Sequence, residues 1–353
     1  MRARLGAIGG IAALLAGALS ACAPPEAADG TVALLLPDKK TARYETFDRP
    51  IFEEHLRSLA DVDIIYANAD QDAARQQQQA ESALSAGADV IVLDPVDARA
   101  AGSIVAAAHA EGVPVLAYDR LILGEARPDY YLSFDNELVG RLQAESLVAE
   151  LAARGTEDGG ILLVHGSPTD SNASQFRQGA QEVLAESGLR VLAQYDTPDW
   201  SPDKAQSWVA GQISQYGDEI VGVYAANDGT AGGAVAALRA AAVSPFPVVT
   251  GQDAELTALQ RIVAGDQHMT VYKALREQAS LAAEIALTLL RGEAPEAQTE
   301  VDGIPATLLT PVAVTAAEIG DVIVADGFWS AEDICTPAYR AACTALGLVP
   351  ESG

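Results

Sequence analysis

Polar residues that can bind a small ligand follow several short apolar runs of this chain. Asp119 and Arg120 follow one run, and Asn227, Asp253 and Lys273 each follow another. A carboxylate accepts hydrogen bonds, Arg and Lys donate them, and an Asn side chain does both. Hydrogen bonds to such charged groups contribute about 1.5–3 kcal/mol each. These residue types suit a ligand rich in hydroxyls, such as a monosaccharide.

Two aromatic residues lie close in sequence to further strand ends. Arg43 and Tyr44 come after the first apolar run, and Trp200 follows the seventh. A flat ring can cover the apolar C–H face of a sugar while polar side chains bond its edge. Because aromatic residues make up only 5% of the chain, a ring at such a position is informative.

The segments around these residues are short apolar runs that alternate with amphipathic stretches. This alternation predicts βαβ units, in which parallel sheets are covered by helices. Strands are predicted at residues 32–36, 63–66, 90–93, 115–118, 130–134, 161–165, 191–195, 220–224, 248–251 and 269–272. Helices are predicted at residues 70–86, 136–154, 203–215 and 275–291, among others.

A weak internal repeat relates residues 90–119 to residues 220–253. Each copy has a strand ending in Asp or Asn, an Ala-rich helix, and a second strand ending in Asp. Ligands of open parallel sheets bind beyond the carboxyl ends of the strands. The repeat therefore predicts two lobes, with Asp119 at the edge of one sheet and Asn227 and Asp253 at the edge of the other. Asn and Asp at these positions are also typical helix N-caps, which is the simpler interpretation of each residue alone.

The amino terminus has the pattern of an export signal. Arg2 and Arg4 precede an apolar run over residues 5–19, which is too short for a mature membrane span. The following Leu-Ser-Ala-Cys ends at Cys22 and resembles the lipobox of bacterial lipoproteins. That resemblance implies cleavage before Cys22 and a diacylglycerol on its sulfur. An ordinary secretory signal with an incidental cysteine is the alternative.

The two remaining cysteines, Cys335 and Cys343, are eight residues apart. An exported compartment permits disulfides, so the pair is expected to close a small turn, with two free thiols as the alternative. The four histidines are scattered and have no metal-ligand spacing with these cysteines. The sequence predicts no metal site and no cofactor.

Size and charge limit the classes of partner. The chain has 353 residues, of which 49% are hydrophobic, enough for two cores. Its formal net charge is −27, a field that repels nucleic acid and anionic lipid. The sequence therefore predicts no nucleic-acid partner and contact with a membrane only through the lipid anchor.

Five segments, in chain order, resemble the bacterial D-xylose-binding proteins, within the ribose/galactose-type group of periplasmic sugar-binding proteins. They are AYDRLIL, YLSFDNELVG, HGSPTDSNASQFRQGA, ANDGTAGGAVAAL and GQDAELTALQRIVAGDQHMTVYK. The similarity extends over residues 32–311. Together the five segments are specific to this group of proteins, whereas AYDR or GQD alone would be weak evidence for it.

The resemblance implies a type I periplasmic binding protein fold, with two doubly wound α/β lobes built on parallel sheets and joined by a three-strand hinge. The expected lobes are residues 31–134 plus 274–306 and residues 135–273 plus 307–353. They follow a signal peptide at 1–21 and a tether at 22–30. The implied function is capture of one monosaccharide, D-xylose first, by a monomer on the extracytoplasmic side. The implied partners are the membrane permease and ATPase subunits of an ABC importer.

The resemblance also assigns roles to residues. Tyr44 and Trp200 are expected to stack on the two faces of the sugar. One departure concerns Tyr44, since many relatives have Trp there and a phenol ring covers less of a sugar face. The segment 44–50 also differs in length. Hydrogen bonds to the sugar are expected from Arg43, Asp119, Arg120, Asn172, Asn227, Asp253 and Lys273.

Other ligands and functions are alternatives to the import of D-xylose. Glucose, ribose, arabinose and galactose are alternative ligands, and a sensory receptor subunit is an alternative to import. A sugar-modifying enzyme could use paired carboxylates. However, Arg120 and Lys273 beside them favour the charged, bonding form over a raised pKa. The sequence has no G-x-S-x-G, H-E-x-x-H or phosphate-loop motif. A sugar-responsive repressor would need a basic DNA-binding segment where this chain has its export signal.

Overall fold

The computed structural model describes residues 29–156 and 158–350. The predicted signal peptide, the predicted lipidation site Cys22 and nearly all of the predicted tether lie outside these residues. Over the two described ranges, no helix combines the length and the apolar character needed to cross a membrane.

All ten predicted strands are present among the described residues, and three further strands follow near the carboxyl terminus. In chain order the strands are β1 (Gly30–Leu36), β2 (Val62–Asn68), β3 (Val90–Leu93), β4 (Val115–Tyr118), β5 (Tyr130–Phe134), β6 (Gly160–His165), β7 (Arg190–Asp196), β8 (Ile220–Ala225), β9 (Val248–Val249), β10 (Met269–Tyr272), β11 (Thr299–Val301), β12 (Ile304–Leu309) and β13 (Val312–Thr315). The continuous apolar runs of β3 to β6 are buried along their whole length, as expected for strands covered on both faces.

Several helices begin at capping residues that the sequence supplies. Asp72 accepts a hydrogen bond from the Arg75 amide at the start of one helix, and Asp135 accepts one from the Leu138 amide at the start of another. The helices are α1 (Arg49–Leu59), α2 (Ala73–Ser85), α3 (Gly102–Ala110), α4 (Asn136–Ala153), α5 (Ser171–Glu186), α6 (Pro202–Tyr216), α7 (Asp228–Ala240), α8 (Leu256–Ala264), α9 (Leu275–Leu290), α10 (Ala331–Ile334) and α11 (Arg340–Ala345). Short helical turns lie at Tyr44–Asp48, Pro198–Trp200, Gly217–Glu219 and Ile319–Val324.

The first lobe is built on a sheet with strand order β11-β12-β5-β4-β3-β1-β2. Its pairs are parallel except for β11 with β12. Strand β2 lies on one side of β1, and β3 begins the series of strands on the other side. The topological switch point is therefore between β1 and β3, and such a point leaves a crevice at the carboxyl ends of the strands. Two apolar clusters cover the two faces of this sheet.

The second lobe has a sheet of order β7-β6-β8-β9, and all its pairs are parallel. Strand β10 continues this lobe through a bridge between Gln252 and Val271, and it pairs antiparallel with β13. The switch point lies between β6 and β8. Both lobes therefore have the same topology around their first three strands, which agrees with the repeat seen in the sequence. The predicted fold class, two doubly wound parallel-sheet lobes, is confirmed.

The chain passes between the lobes after β5, after β10 and after β12. Strand β12 pairs with β5 up to Leu309 opposite Phe134. This strand crosses the lobe boundary expected after residue 306, so the first lobe's sheet extends to residue 309. Beyond β13, residues 319–350 pack on α8 in an apolar cluster that also includes Phe134 and Leu309 at the hinge. Cys335 and Cys343, both buried in that cluster, are joined by a disulfide.

Candidate functional site

A cavity of about 290 Å³ lies between the two lobes, at the carboxyl ends of their strands. All nine residues predicted to contact a ligand line it, together with four others. The nine are Arg43, Tyr44, Asp119, Arg120, Asn172, Trp200, Asn227, Asp253 and Lys273, and the four are Thr41, Asp170, Phe176 and Gln252.

Asp119 is the carboxylate that the first lobe contributes directly after β4. Its φ is 59°, in the left-handed region that residues other than glycine seldom occupy. The Ser133 hydroxyl donates to the Asp119 carbonyl oxygen at 2.5 Å, and the Asp119 amide donates to the Leu132 carbonyl oxygen at 2.8 Å. Neighbouring strand β5 therefore holds the strained turn that presents this carboxylate to the cavity.

Three nearby cations keep Asp119 ionised. Arg43 Nη1 donates to Asp119 Oδ1 at 2.8 Å, and Lys273 Nζ lies 3.9 Å from the same oxygen. Burial alone would raise the pKa of Asp119, but Arg43, Lys273 and Arg120 outweigh it and hold that pKa well below its usual value. Arg43 is fixed in turn by Asp48, which accepts hydrogen bonds from Nε at 2.9 Å and from Nη2 at 2.8 Å.

Asp253 is the corresponding carboxylate of the second lobe and follows β9. Its φ is 97°, again strained for a residue other than glycine. Gln252 Nε2 donates to Asp253 Oδ2 at 2.9 Å, and Lys273 Nζ lies 3.0 Å from Asp253 Oδ1. Lys273 therefore stands between the carboxylates of the two lobes, with its ammonium group within 4 Å of both.

Arg120 forms a second link across the cavity. Its Nε lies 2.9 Å from Asp170 Oδ2 of the second lobe and 3.4 Å from Asp94 Oδ1 of the first. Its Nη2 donates to the Tyr44 hydroxyl at 3.0 Å. Burial raises the pKa of the Asp170 carboxyl above its usual value, and the Arg120 charge opposes that rise. This network holds Tyr44 and Arg120 in fixed positions at the cavity wall.

Trp200 is the aromatic wall of the second lobe. Its Nε1 donates to Asp170 Oδ2 at 2.9 Å, and the Phe176 ring meets it edge-on with centroids 6.3 Å apart. The ring rests on Gly166, where a Cβ atom would lie only 2.0 Å from it. A glycine is therefore required beneath the indole.

Asn227 caps a helix and also lines the cavity, whereas Asp253 lines the cavity without capping a helix. Asn227 Oδ1 accepts a hydrogen bond from the Thr230 amide at 2.9 Å at the start of α7. Its side-chain NH₂ group is a separate donor. By contrast, α8 begins after Glu255 without a side-chain cap, so capping does not account for Asp253. The interpretation as a helix N-cap therefore holds for Asn227 and not for Asp253.

Four of the lining residues were not among the predicted ligand contacts, although local sequence features indicate three of them. Asp170 is the N-cap of α5, two residues before Asn172. Phe176 is one helical turn beyond Asn172 and so shares its face. Gln252 adjoins Asp253 at the same strand end. Thr41 lies in an irregular segment with no pattern to single it out.

The balance of charge at the cavity indicates what it can bind. Three carboxylates and three cations line it, and each carboxylate lies close to a cation. A neutral polar ligand fits this balance better than an ion, because no charge there needs an external partner. Among the described residues, no group of three or more His, Cys, Asp or Glu side chains is arranged to hold a metal ion.

Comparison with known proteins agrees with the fold. The family model described as "Periplasmic binding protein domain" matches residues 32–294. The chain is 38% identical to the D-xylose-binding periplasmic protein of Haemophilus influenzae, over 87% of this chain and 92% of that protein. It is also 38% identical to the protein of the same name from Escherichia coli, over 84% and 90%.

A solved structure supports the same assignment. The solute-binding protein of an ABC transporter from Clostridium phytofermentans, with bound β-D-glucose, superposes with a TM-score of 0.80 at 28% identity. The match covers 86% of this chain and 99% of that one. These relatives and structural neighbours are sugar-binding transport proteins and not enzymes. The two lobes, the cleft between them and the extended similarity together place this chain in the periplasmic binding protein family, among its sugar-binding members of the ABC transporter type.

Proposed function

We propose that this protein captures D-xylose on the extracytoplasmic side and delivers it to an ABC importer. The observation that carries the proposal is the meeting of Asp119 and Asp253, one from each lobe, around Lys273 Nζ in a single cavity of about 290 Å³. Such a site contacts a ligand from both lobes at once, which favours the closed form when the ligand is bound.

The chemistry of the lining suits a sugar ring. Asp119 and Asp253 accept from ring hydroxyls, whereas Arg43, Arg120 and Lys273 donate to them. Tyr44 and Trp200 provide flat surfaces for the apolar faces, and Asn172 and Asn227 add groups that both donate and accept. Hydrogen bonds of this kind, less the cost of immobilising the sugar and closing the lobes, correspond to an affinity near ~1 μM.

D-xylose is preferred because two relatives at 38% identity are named for binding it. D-glucose is the second candidate, since the structure at 28% identity contains β-D-glucose. The two sugars differ by one CH₂OH group, which needs additional space in a site of this size. Tyr44, smaller than the Trp of many relatives, changes the space at one face.

The site gives no support for an acid–base role of Asp119. A general acid needs a raised pKa, whereas nearby cations hold the pKa of Asp119 below its usual value. An ionised carboxylate that accepts hydrogen bonds is what a binding site requires.

Calorimetric titration against D-xylose, D-glucose, D-ribose, L-arabinose and D-galactose tests the proposal. We expect D-xylose to bind most tightly and D-glucose to compete best. Asp253→Asn should weaken binding about 10- to 100-fold, because a charge-assisted hydrogen bond is lost. Asp63→Asn, at an exposed position of edge strand β2, is the matched control and should bind as the wild type does. Equal affinity of wild type and Asp253→Asn, or no binding of any aldose, would refute the proposal.

We also propose a lipid anchor at Cys22 and the permease and ATPase subunits of an importer as partners of a monomeric binding protein. The lipobox-like Leu-Ser-Ala-Cys at residues 19–22 supports the anchor. Cys22→Ser should move the protein from the membrane fraction to the soluble fraction after export. If the variant stays with the membrane as the wild type does, the anchor is not at Cys22.

A further inference from the structure

The turn that carries Asp253 contains two consecutive strained residues. Asp253 has φ 97° and Ala254 has φ 50°, and neither is glycine. Conformations of this kind persist only where the surroundings fix them, and they cluster at functional sites. The Asp253 amide donates to the Val271 carbonyl oxygen at 2.9 Å, and the Ala254 amide donates to Thr270 Oγ1 at 3.1 Å. Strand β10 thus holds the amide side of the turn.

The carbonyl side of the turn is held from a distant part of the chain. Trp329 Nε1 donates to the Ala254 carbonyl oxygen at 3.0 Å. Trp329 is half-buried and is not among the residues that line the cavity. It lies 75 residues beyond Ala254, in the segment after β13 that leads to the disulfide-linked helices.

Residues next to Trp329 anchor this segment independently of the Ala254 bond. The Phe328 ring stacks on Phe47 with centroids 4.2 Å apart and meets the Tyr272 ring edge-on at 5.1 Å. The Tyr272 hydroxyl donates to Asp326 Oδ2 at 2.6 Å. The indole N–H is therefore presented by a fixed support.

We infer that Trp329 is a positioning residue for ligand binding, which acts by locking the strained Asp253–Ala254 turn so that the Asp253 carboxylate stays beside Lys273 Nζ. The inference rests on the proposed role of Asp253 in sugar binding. Without the indole hydrogen bond, β10 still holds the amide side of the turn, but the Ala254 carbonyl group is no longer held and φ of Ala254 can relax toward negative values. That rotation turns Asp253 away from its position 3.0 Å from Lys273 Nζ.

Trp329→Phe tests this, because it keeps an aromatic ring and removes only the N–H donor. Loss of one hydrogen bond is expected to weaken D-xylose binding roughly 3- to 10-fold in calorimetry.

The Ala254→Gly background gives a second test of the same inference. Glycine has no penalty at positive φ, so the turn in the Ala254→Gly protein depends less on the Trp329 hydrogen bond. In the Ala254→Gly background, Trp329→Phe should change the calorimetric affinity for D-xylose by less than about 2-fold. Trp208→Phe, a half-buried tryptophan of α6 that stacks on Tyr195, is the matched control and should have no effect.

Hydrogen exchange of the Asp253 and Ala254 amides gives a second measurement that needs no sugar. Trp329→Phe should accelerate this exchange, whereas Trp208→Phe should not. Unchanged exchange, unchanged affinity, or an equal loss of affinity in the Ala254 and Ala254→Gly backgrounds would overturn the inference. A wild-type protein that binds no aldose refutes the proposed function, while the exchange rates still decide whether Trp329 locks the turn.

Discussion

At the scale of single residues, a buried histidine beside the cavity links stability to pH. His165 ends β6, is 2% exposed and precedes the glycine on which Trp200 rests. Burial, assisted by the positive charge of Arg177, lowers the pKa of His165 to about 4. In the unfolded chain a histidine titrates near ~6.5. Between these two values the unfolded state binds more protons than the folded state, so acid favours unfolding.

We therefore expect the free energy of unfolding to fall as the pH falls from 6.5 to 4. The contribution of His165 is at most ~1.4 kcal/mol per pH unit, or about 3 kcal/mol in total. His165→Gln cannot take up this proton. Denaturant titrations of both proteins at pH 7, 5.5 and 4.5 measure the difference between their stabilities, which cancels the other titrating groups. If that difference is the same at all three values, His165 is not responsible.

The types of the site residues were predictable, because strand-end carboxylates, amides and cations are visible in the sequence. Asp170 shows the limit of that reasoning. From sequence it is an ordinary helix cap, yet in the structure it also accepts from Trp200 Nε1 and pairs with Arg120. Those two partners are 30 and 50 residues away, and no local pattern connects them.

At the scale of elements, the close approach of α4 and α5 positions one wall of the site. A Cβ atom at Gly140 of α4 would lie 1.9 Å from the Phe176 carbonyl oxygen, and one at Gly179 of α5 would lie 1.9 Å from the Glu137 carbonyl oxygen. The two helices therefore contact backbone to backbone at both glycines. Asn172 and Phe176, on the packed helix α5, reach the cavity from there.

Gly140→Ala should force α5 away from α4, because the obstructing atom is backbone and cannot rotate aside. We expect a loss of stability of about 1–3 kcal/mol and weaker sugar binding, since Asn172 and Phe176 move with the helix. Gly211→Ala in exposed α6 is the matched control, because a Cβ there meets nothing within 4 Å. It should stabilise the protein by about 0.5–1 kcal/mol. Thermal melts and calorimetry measure both effects, and a neutral Gly140→Ala would contradict the packing argument.

At the scale of the whole molecule, hydrogen bonds and an ion pair join the two lobes directly. Thr169 Oγ1 donates to the Val96 carbonyl oxygen at 3.1 Å, and the Ala98 amide donates to the Thr169 carbonyl oxygen at 3.0 Å. The Arg120–Asp170 ion pair joins the same two lobes. This is a closed arrangement, and a ligand that touches both lobes favours it by its difference in affinity for the closed and open forms.

Small-angle scattering should therefore show a smaller radius of gyration when D-xylose is added to the wild-type protein. Asp253→Asn, which loses one of the two carboxylates that meet at Lys273, should show a smaller change at the same sugar concentration. An identical scattering curve with and without saturating sugar would exclude ligand-driven closure.

The order and type of the elements can be predicted from the chain alone, as can the repeat of two lobes and the identity of nine residues that line the cavity. These follow from periodicity, strand-end chemistry and family likeness, all of which can be seen along the chain. Only the folded chain shows that Lys273 stands between Asp119 and Asp253, that β12 extends the first lobe's sheet to Leu309, and that Trp329 reaches the Ala254 carbonyl oxygen. Periodicity reports which way a side chain faces and whether it is buried. Contacts between segments that are distant in sequence depend on strand order and on how the lobes meet, and no local pattern encodes them.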